Sequence, residues 1–230
     1  MPEQLCVSVV VPVHRGERFL GAALESVASQ TCPVLETIVV IDGSTDASAE
    51  IASAAGARVL VRERGGVASA RNAGVRAASG SLIAFLDQDD VWQPQKLERQ
   101  LQRMRSLPPV DIVLCHMEAQ LMRGTPRPEW LPGAWERAPQ AAFVPSAWLA
   151  RKALFDEVGP FDEQLEIACD ADWLARAKDC GGAVDILPDS LLRWRVHGSN
   201  ASYDRVTMER ELLCVLRRTA VRQRQAAVRA

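Results

Sequence analysis

Short runs of β-branched residues alternate with helical stretches through the first half of the chain. Three of these runs, at 7–13, 37–41 and 81–86, are apolar almost throughout. The segments between them carry apolar residues at helical spacing or are rich in alanine. Strands that are buried on both faces and separated by helices are typical of βαβ units on a parallel sheet. We therefore predict an α/β fold with a mostly parallel central sheet flanked by helices.

The second half of the chain is less regular. A strand is predicted at 112–115, and a stretch rich in proline and tryptophan follows from 124 to 145. From Arg205 onward the pattern is helical. One side of this predicted helix carries Met208, Leu212, Val215, Leu216 and Thr219.

Composition limits the class of protein. The 230 residues suit one α/β domain, and the 48% apolar and 24% charged fractions exclude disordered and fibrous chains. The net charge of −2 argues against a nucleic-acid partner. The longest apolar run, 5–13, is too short for a transmembrane segment, and no signal peptide is recognisable. Six isolated cysteines without zinc-site spacing fit a reducing, cytoplasmic location.

Acidic residues follow two of the predicted strands. Asp42 ends one, and Asp87-Gln88-Asp89-Asp90 follows another. Open α/β sheets bind ligands at the carboxyl ends of their strands. Three carboxylates within four residues repel one another and indicate a countercharge, most simply a hard divalent cation. The residues alone leave a second interpretation open, which is a solvated acidic turn before a helix at Pro94.

Seven segments stand out in order along the chain. They are Val7-Ser-Val-Val-Val-Pro-Val-His14, Ile41-Asp-Gly-Ser-Thr-Asp46, Gly66-Val-Ala-Ser-Ala-Arg-Asn-Ala-Gly74, Ala84-Phe-Leu-Asp-Gln-Asp-Asp90, Val158-Gly-Pro-Phe-Asp-Glu163, Asp170-Ala-Asp-Trp-Leu-Ala-Arg176 and Arg195-Val-His-Gly-Ser-Asn200. Together they resemble the signatures of the family 2 glycosyltransferases, over about residues 5–203. One such motif would be weak evidence, whereas the ordered set is specific.

The resemblance implies a single Rossmann-like A-type glycosyltransferase domain over residues 1–230. In this organisation about 5–115 is the half that binds the nucleotide sugar and 116–203 is the half that binds the acceptor. Residues 204–230 form a basic C-terminal helix. The implied activity is metal-dependent transfer of a hexose or N-acetylhexosamine, with inversion, from a nucleoside diphosphate sugar. A UDP-sugar is favoured, and the acceptor is a glycan, a lipid-linked saccharide, a small molecule or a peptide.

The resemblance also implies roles for individual residues. The metal, Mn²⁺ or Mg²⁺, would be held by Asp89 with Asp87 and His197, and would bridge the diphosphate. Asp170 matches the catalytic base that takes the proton from the acceptor. Donor binding is assigned to Pro12, Val13, His14, Arg15, Asp42, Arg71, Asp87 and Gln88. Candidates for the sugar or acceptor pocket are Trp92, Asp172, Trp173 and Arg176.

Several of these side chains have a structural interpretation that the sequence does not exclude. His197 could be a hydrogen-bonding residue of the fold, Arg71 an exposed helical arginine, and Arg176 one half of a surface ion pair. Tryptophans of the irregular second half either pack in the core or a lid or stack on sugar rings. They are Trp130, Trp135 and Trp148.

Two positions depart from the family pattern. Ile41 occupies the first of two positions that are often acidic, and Cys169 stands where an acid often precedes the base. Loss of the neighbouring carboxylate argues for a lower pKa of Asp170, since like-charge repulsion is removed. The departures also prompt a rival interpretation, a non-catalytic protein that binds nucleotide sugars on the same fold.

The C-terminal segment from Arg217 onward contains five arginines and no acidic residue. Such a helix can lie on an anionic leaflet, which would place the protein peripherally at the inner membrane face and suit a polyprenyl-phosphate acceptor. The alternative is a solvated helix end, because the apolar side fades after Ala220.

Overall fold

One mixed sheet with flanking helices organises the computed structural model, which describes residues 5–135 and 138–229. The strands are β1 (Val7–Val13), β2 (Glu36–Asp42), β3 (Arg58–Arg62), β4 (Leu82–Phe85), β5 (Val91–Trp92), β6 (Ile112–Leu121), β7 (Gln140–Ala141), β8 (Leu149–Arg151) and β9 (Val184–Val196). The helices are α1 (Leu20–Ala28), α2 (Ser48–Ala54), α3 (Gly66–Ala77), α4 (Lys96–Met104), α5 (Lys152–Val158), α6 (Cys169–Asp179) and α7 (Arg205–Arg229). Two short 3-10 turns lie at Pro145–Ala147 and Ala201–Tyr203. The α/β fold class is confirmed.

The first half of the sheet is parallel, as the alternating pattern predicts. Its strand order is β3-β2-β1-β4, and β1 pairs in parallel with both β2 and β4. All seven residues of β1 and all four of β4 are buried, which explains their continuous apolar runs. The carboxyl ends of β1, β2 and β4 therefore meet at one edge of the sheet.

The second half adds short antiparallel pairs to a sheet that is mostly parallel, as predicted. β8 pairs antiparallel with both β4 and β6, whereas β9 pairs in parallel with β6 and antiparallel with β5. Parallel neighbours need a crossover, usually helical. The described residues between β6 and β8 hold only a two-residue strand and a 3-10 turn, so β8 returns in the opposite direction.

Two strands of the second half are longer than the sequence suggests. β6 continues beyond the predicted 112–115, and β9 runs to Val196 where only a short element around 183–187 is expected. Their outer parts pair with each other, with an irregular register at Cys115 to Met117. The boundary drawn at 115/116 between the two halves thus falls inside β6. The prediction of a single domain stays a prediction.

An aromatic cluster fills the core under α5 and α6. The rings of Phe155 and Trp173 stack at 4.3 Å, and Trp148 lies 5.6 Å from Trp173. Phe85 of β4 and Phe161 complete the cluster through edge contacts at 5.6 Å. Aromatic pairs of this kind contribute about 0.5–1.5 kcal/mol each beyond the area they bury. The cluster holds α6, and with it Asp170, against the sheet.

Helix α7 is anchored by a polar residue rather than by the apolar side expected from the sequence. Of that side only Val215 is fully buried, whereas Leu212 and Leu216 are 38% and 65% exposed. The buried Glu211 accepts hydrogen bonds from three successive backbone amides before α6, each 2.9 Å long: those of Glu166, Ile167 and Ala168. Burial alone would raise the pKa of Glu211, but these amides and Arg210 outweigh it and lower the pKa.

The basic residues of α7 are partly paired within the protein. Arg218 contacts Asp162 at 2.8 Å and Arg222 contacts Asp179 at 2.7 Å. The guanidinium groups of these two side chains therefore face acidic groups of the protein itself rather than a lipid leaflet. In the part of the chain that the structure describes, none of the helices is both long and apolar enough to span a bilayer.

Glu211→Ala should lower the free energy of unfolding by about 2–4 kcal/mol, because it leaves three buried amides without their acceptor. Glu209→Ala is the matched control on the same helix, since its surface pair with Arg205 is exposed and should contribute less than about 0.5 kcal/mol. Urea unfolding of both variants measures the difference. Equal losses would contradict the anchoring role of Glu211.

Candidate active site

A cleft of about 1,400 Å³ opens where the carboxyl ends of β1, β2 and β4 meet. Residues from both halves of the chain line it. Of the residues singled out from the sequence, the cleft brings together Pro12, Val13, His14, Asp42, Arg71, Asp87, Gln88, Asp89 and Asp170. The edge of the sheet at which the sequence places the ligand is therefore the edge at which the structure has its large cavity.

Asp42 ties the end of β2 to the start of α3. Its two carboxylate oxygens accept the amides of Gly65 and Gly66 at 2.9 and 2.8 Å, and Arg62 lies 3.4 Å away. Gly66 has φ +87°, a conformation that favours glycine, and this presents its amide to the carboxylate. Asp42 is thus buried and held in one orientation at the cleft wall.

Gln88 clasps the loop after β1. Its Oε1 accepts the amide of His14 at 2.8 Å, and its Nε2 donates to the carbonyl of His14 at 3.0 Å. The His14 ring in turn contacts the carbonyl of Asp42 at 2.8 Å. The middle residue of the acidic motif therefore aligns the first two loops of the cleft through backbone contacts.

Arg71 is a buried cation between the two halves of the site. Its Nη2 donates to Asp87 Oδ1 at 2.7 Å, and its Nη1 lies 3.6 Å from the sulfur of Cys169. Burial opposes its charge, but Asp87, Cys169 and Asp170 outweigh burial and raise its pKa. The interpretation of Arg71 as an exposed helical arginine is wrong, since the residue is 4% exposed.

Asp89 lines the cleft and contacts the buried His197 behind it. His197 Nε2 lies 3.0 Å from Asp89 Oδ2, and Asn200 donates to the same oxygen at 3.1 Å. Phe19 stacks on the imidazole at 4.2 Å, and the Ser199 hydroxyl lies 2.9 Å from Nδ1. The Ser199 amide also donates to Nδ1 at 3.3 Å, so Nδ1 is an acceptor and the ring proton is favoured on Nε2, facing Asp89.

The acidic loop is supported from below by buried polar groups. Arg195 donates to the carbonyl of Asp89 and, at 3.1 Å, to that of Phe19. Ser146 accepts the amide of Asp87 at 3.0 Å and also hydrogen-bonds Asp90. Burial, with the charges of Asp89 and Asp87, raises the pKa of Asp90 well above its ordinary value. Folding therefore disfavours the ionised carboxylate of Asp90 relative to the unfolded chain.

Asp170 lies half-buried in the first turn of α6 and faces the cleft. Burial raises its pKa to about 6, against the opposing charge of Arg71. The absence of an acidic residue at position 169 favours a lower pKa for Asp170, but the effect of burial is larger and raises it. Cys169 is a buried thiol whose pKa burial raises to about 11, so it is held in the neutral form.

Six of the predicted site residues do not line the cleft, including His197, which is 4% exposed and contacts the cleft residue Asp89. Trp92 and Trp173 are core residues because their indole rings fill space under the sheet and the helices. Asp172 and Arg176 pair with each other at 2.7 Å on α6, away from the face that carries Asp170. Arg15 is exposed, with φ +52° and its amide bound to Ser44 at 2.8 Å.

The tryptophans of the irregular region divide between core and cleft. Trp148 is fully buried, whereas Trp135 lines the cleft together with Trp194 of β9, their rings 6.1 Å apart. Trp130 packs against Trp194 at 5.8 Å, behind this wall. Phe143 is 52% exposed and also lines the cleft.

Several positioning residues received no role from the sequence. Asn72 holds the 158–163 segment by exchanging two hydrogen bonds with the Phe161 backbone, and it donates to Glu163 at 2.9 Å. Four of these residues lie in the segments that carry the family resemblance, and that resemblance was the signal that could have found them. They are Asn72, Glu163, Arg195 and Asn200. Ser146 and Glu211 lie outside those segments, and nothing in their local sequence marks them.

Comparison with known families identifies the chain. The family model described as "Glycosyl transferase family 2" matches residues 8–159, from the second residue of β1 through the acidic loop to Gly159. The chain belongs to glycosyl transferase family 2. An uncharacterized glycosyltransferase of Rickettsia prowazekii is 36% identical over 110 residues, 47% of this chain and 35% of that protein.

A longer match is to an uncharacterized glycosyltransferase of Bacillus subtilis, EpsJ. It is 30% identical over 210 residues, covering 82% of this chain and 60% of that protein. The chain thus spans less than two thirds of the length of both of these relatives.

Among solved structures, Staphylococcus aureus TarS 1-349 in complex with UDP-GlcNAc superposes with a TM-score of 0.73 at 22% identity. That match covers 94% of this chain and 66% of the TarS chain. A second TarS structure, in complex with UDP, matches with a TM-score of 0.67 at 23% identity over 83% of this chain and 60% of that one. At these identities the likeness establishes a shared fold.

Asp170→Asn should raise the free energy of unfolding by about 1–3 kcal/mol at pH 7, because ionised Asp170 is disfavoured in the folded state. The pKa is raised from 3.8 to about 6, so the gain is complete above pH about 6 and vanishes below pH about 4. Asp172→Asn is the matched control two residues away. It removes the charge paired with Arg176, which keeps its bonds to the carbonyls of Val158 and Pro160, and should lower stability by about 1 kcal/mol. A loss of stability in Asp170→Asn at pH 7 would contradict the assigned environment.

Proposed function

We propose that this chain is a metal-dependent inverting glycosyltransferase that uses a nucleoside diphosphate sugar, with a UDP-sugar favoured. The observation that carries the proposal is the pairing, within one cleft, of the Asp89–His197 contact and the half-buried Asp170 with its pKa of about 6. Family membership, and the UDP and UDP-GlcNAc bound by the TarS neighbours, support the donor class.

The donor end of the cleft suits a nucleotide. Asp42 and the loop clasped by Gln88 supply a rigid wall of fixed polar groups, as recognition of a base and ribose requires. Arg71 acts here through Asp87, whose orientation it holds, rather than as a free cation for the diphosphate. We assign Arg71 as a positioning residue.

The residues present fit a divalent cation of the Mg²⁺ or Mn²⁺ type. Asp89 and His197 would hold it, since carboxylate oxygens and imidazole nitrogens both ligate such ions and Asp89 Oδ2 lies 3.0 Å from His197 Nε2. Within the described ranges there is no group of three or more acidic, histidine or cysteine side chains that could hold a metal. Asp87 is paired with Arg71 at 2.7 Å. A bound cation would stabilise the negative charge of the departing nucleoside diphosphate.

Asp170 serves as the general base. The acceptor oxygen attacks the anomeric carbon, the bond from that carbon to the diphosphate oxygen breaks, and the diphosphate leaves with the electron pair. The acceptor proton passes to the Asp170 carboxylate. A pKa of about 6 keeps Asp170 ionised at neutral pH yet more basic than an ordinary carboxylate. A single displacement of this kind inverts the anomeric configuration.

The test is turnover of a panel of UDP-sugars with Mn²⁺, with EDTA as the metal-free control. We expect metal-dependent release of UDP from one donor. Asp89→Asn should weaken metal-dependent donor binding at least tenfold by calorimetry. Asp170→Asn should bind donor within about threefold of the parent and lose about 10²–10⁴ in kcat for transfer.

Two outcomes would overturn the assignment. Full transfer activity in Asp170→Asn would show that Asp170 is not the general base. Tight donor binding without hydrolysis or transfer for any donor would instead favour the non-catalytic nucleotide-sugar-binding protein.

A further inference from the structure

The cleft has two chemically different ends. Its volume of about 1,400 Å³ exceeds the roughly 300–1,000 Å³ usual for a pocket with one small ligand. The end formed by the loops after β1, β2 and β4 is polar and charged, as described above. The other end, beyond Asp170, is lined mainly by apolar side chains of α6, α7 and the segments beside them. We call this second end the apolar arm.

One wall of the apolar arm is a single face of α6. The cleft-lining residues of this helix are spaced i, i+1, i+4, i+5 and i+8, which places them in one stripe. They are Asp170, Ala171, Leu174, Ala175 and Lys178. The eight residues from the base to the exposed Lys178 correspond to about 12 Å of helix. The body of a molecule whose reacting group lies at Asp170 therefore extends along this stripe.

Helix α7 and neighbouring segments also contribute apolar side chains to the lining. Met208 and Leu212, one turn apart on α7, line the arm with Ile167 and Phe143. Leu212 and Phe143 are 38% and 52% exposed, so the structure leaves large apolar side chains open to the cavity. The ionisable side chains beside this part of the cleft are those of Lys178 and Glu166, both exposed.

Such a lining discriminates between acceptor classes. The hydroxyls of a saccharide laid against Leu174, Ile167 and Met208 would lose water without gaining protein partners, which is costly for each group. An alkyl or aryl body gains about 0.8 kcal/mol for each methylene that it buries. The arm therefore favours an apolar acceptor body over a glycan.

We propose that the acceptor carries its nucleophilic hydroxyl on an apolar body that occupies the arm between α6 and α7. This inference rests on the proposed function, because it takes Asp170 as the base. It selects, among the acceptor classes left open by the sequence, a molecule with an alkyl or aryl body of about 12 Å next to the reacting group. Leu212 and Leu174 are then specificity-determining residues.

Binding of straight-chain primary alcohols from butanol to octanol tests the proposal, measured by calorimetry on the whole chain with UDP and Mn²⁺ present. We expect the Kd to fall about threefold to fourfold with each added methylene. A Kd that does not change with chain length would overturn the proposal.

Leu212→Ser and its neighbour Leu213→Ser form the matched pair. Leu213 is 54% exposed on the same helix and does not line the cleft. We expect Leu212→Ser to weaken octanol binding at least fivefold and Leu213→Ser to leave it within twofold. Equal effects of the two variants would overturn the proposal. So would a parent chain that is dimeric by size-exclusion chromatography and becomes monomeric in Leu212→Ser with unchanged octanol binding, because a second copy would then cover this face.

Metal-dependent hydrolysis of the UDP-sugar, measured on the same samples, distinguishes a failure of the apolar-arm proposal from a failure of the proposed function. Hydrolysis without chain-length dependence contradicts the apolar arm alone. Absence of donor turnover and of donor binding contradicts the proposed function as well.

Discussion

The buried guanidinium of Arg71 is the interaction on which the site depends. It lies between Asp87, which follows β4, and the first turn of α6, where Cys169 and Asp170 are found. A buried cation is costly unless it is paired, so the protein stabilises Arg71 only when both elements stand in this arrangement. Two parts of the chain about eighty residues apart in sequence are thereby held next to each other. The donor end and the base end of the cleft are consequently one site.

The carboxylates of the cleft differ in role because their surroundings differ. Asp42 is capped by two backbone amides, and Asp87 is paired with Arg71. Burial and like charge raise the pKa of Asp90, whereas burial raises that of Asp170 to about 6. Asp89 keeps one oxygen toward His197 and Asn200. Enzyme sites typically contain several groups of one chemical type whose pKa values differ because their environments differ.

Much of the fold and the site could be predicted because the relevant signals are local. The buried parallel strands follow from their apolar runs, and the sheet edge with Asp42 and Asp89 follows from where those runs end. The antiparallel return of β8 could not be predicted, since it depends on pairing across the sheet rather than on local pattern. Trp173 shows the same limit, because its neighbours in sequence suggested a pocket and its neighbours in space form a core. The role of Gln88 rests on backbone contacts that no sequence pattern encodes.

The proposed role of Asp170 as the base implies a direct displacement at the anomeric carbon. Proton NMR of the sugar first released from an α-linked UDP-sugar, recorded before mutarotation, tests this claim most directly. Direct displacement predicts that the β-configured product appears first, as the free sugar when water is the acceptor and as the glycoside when an alcohol is added. Initial formation of the α-anomer would contradict it, because net retention requires a second nucleophile or a different face of attack.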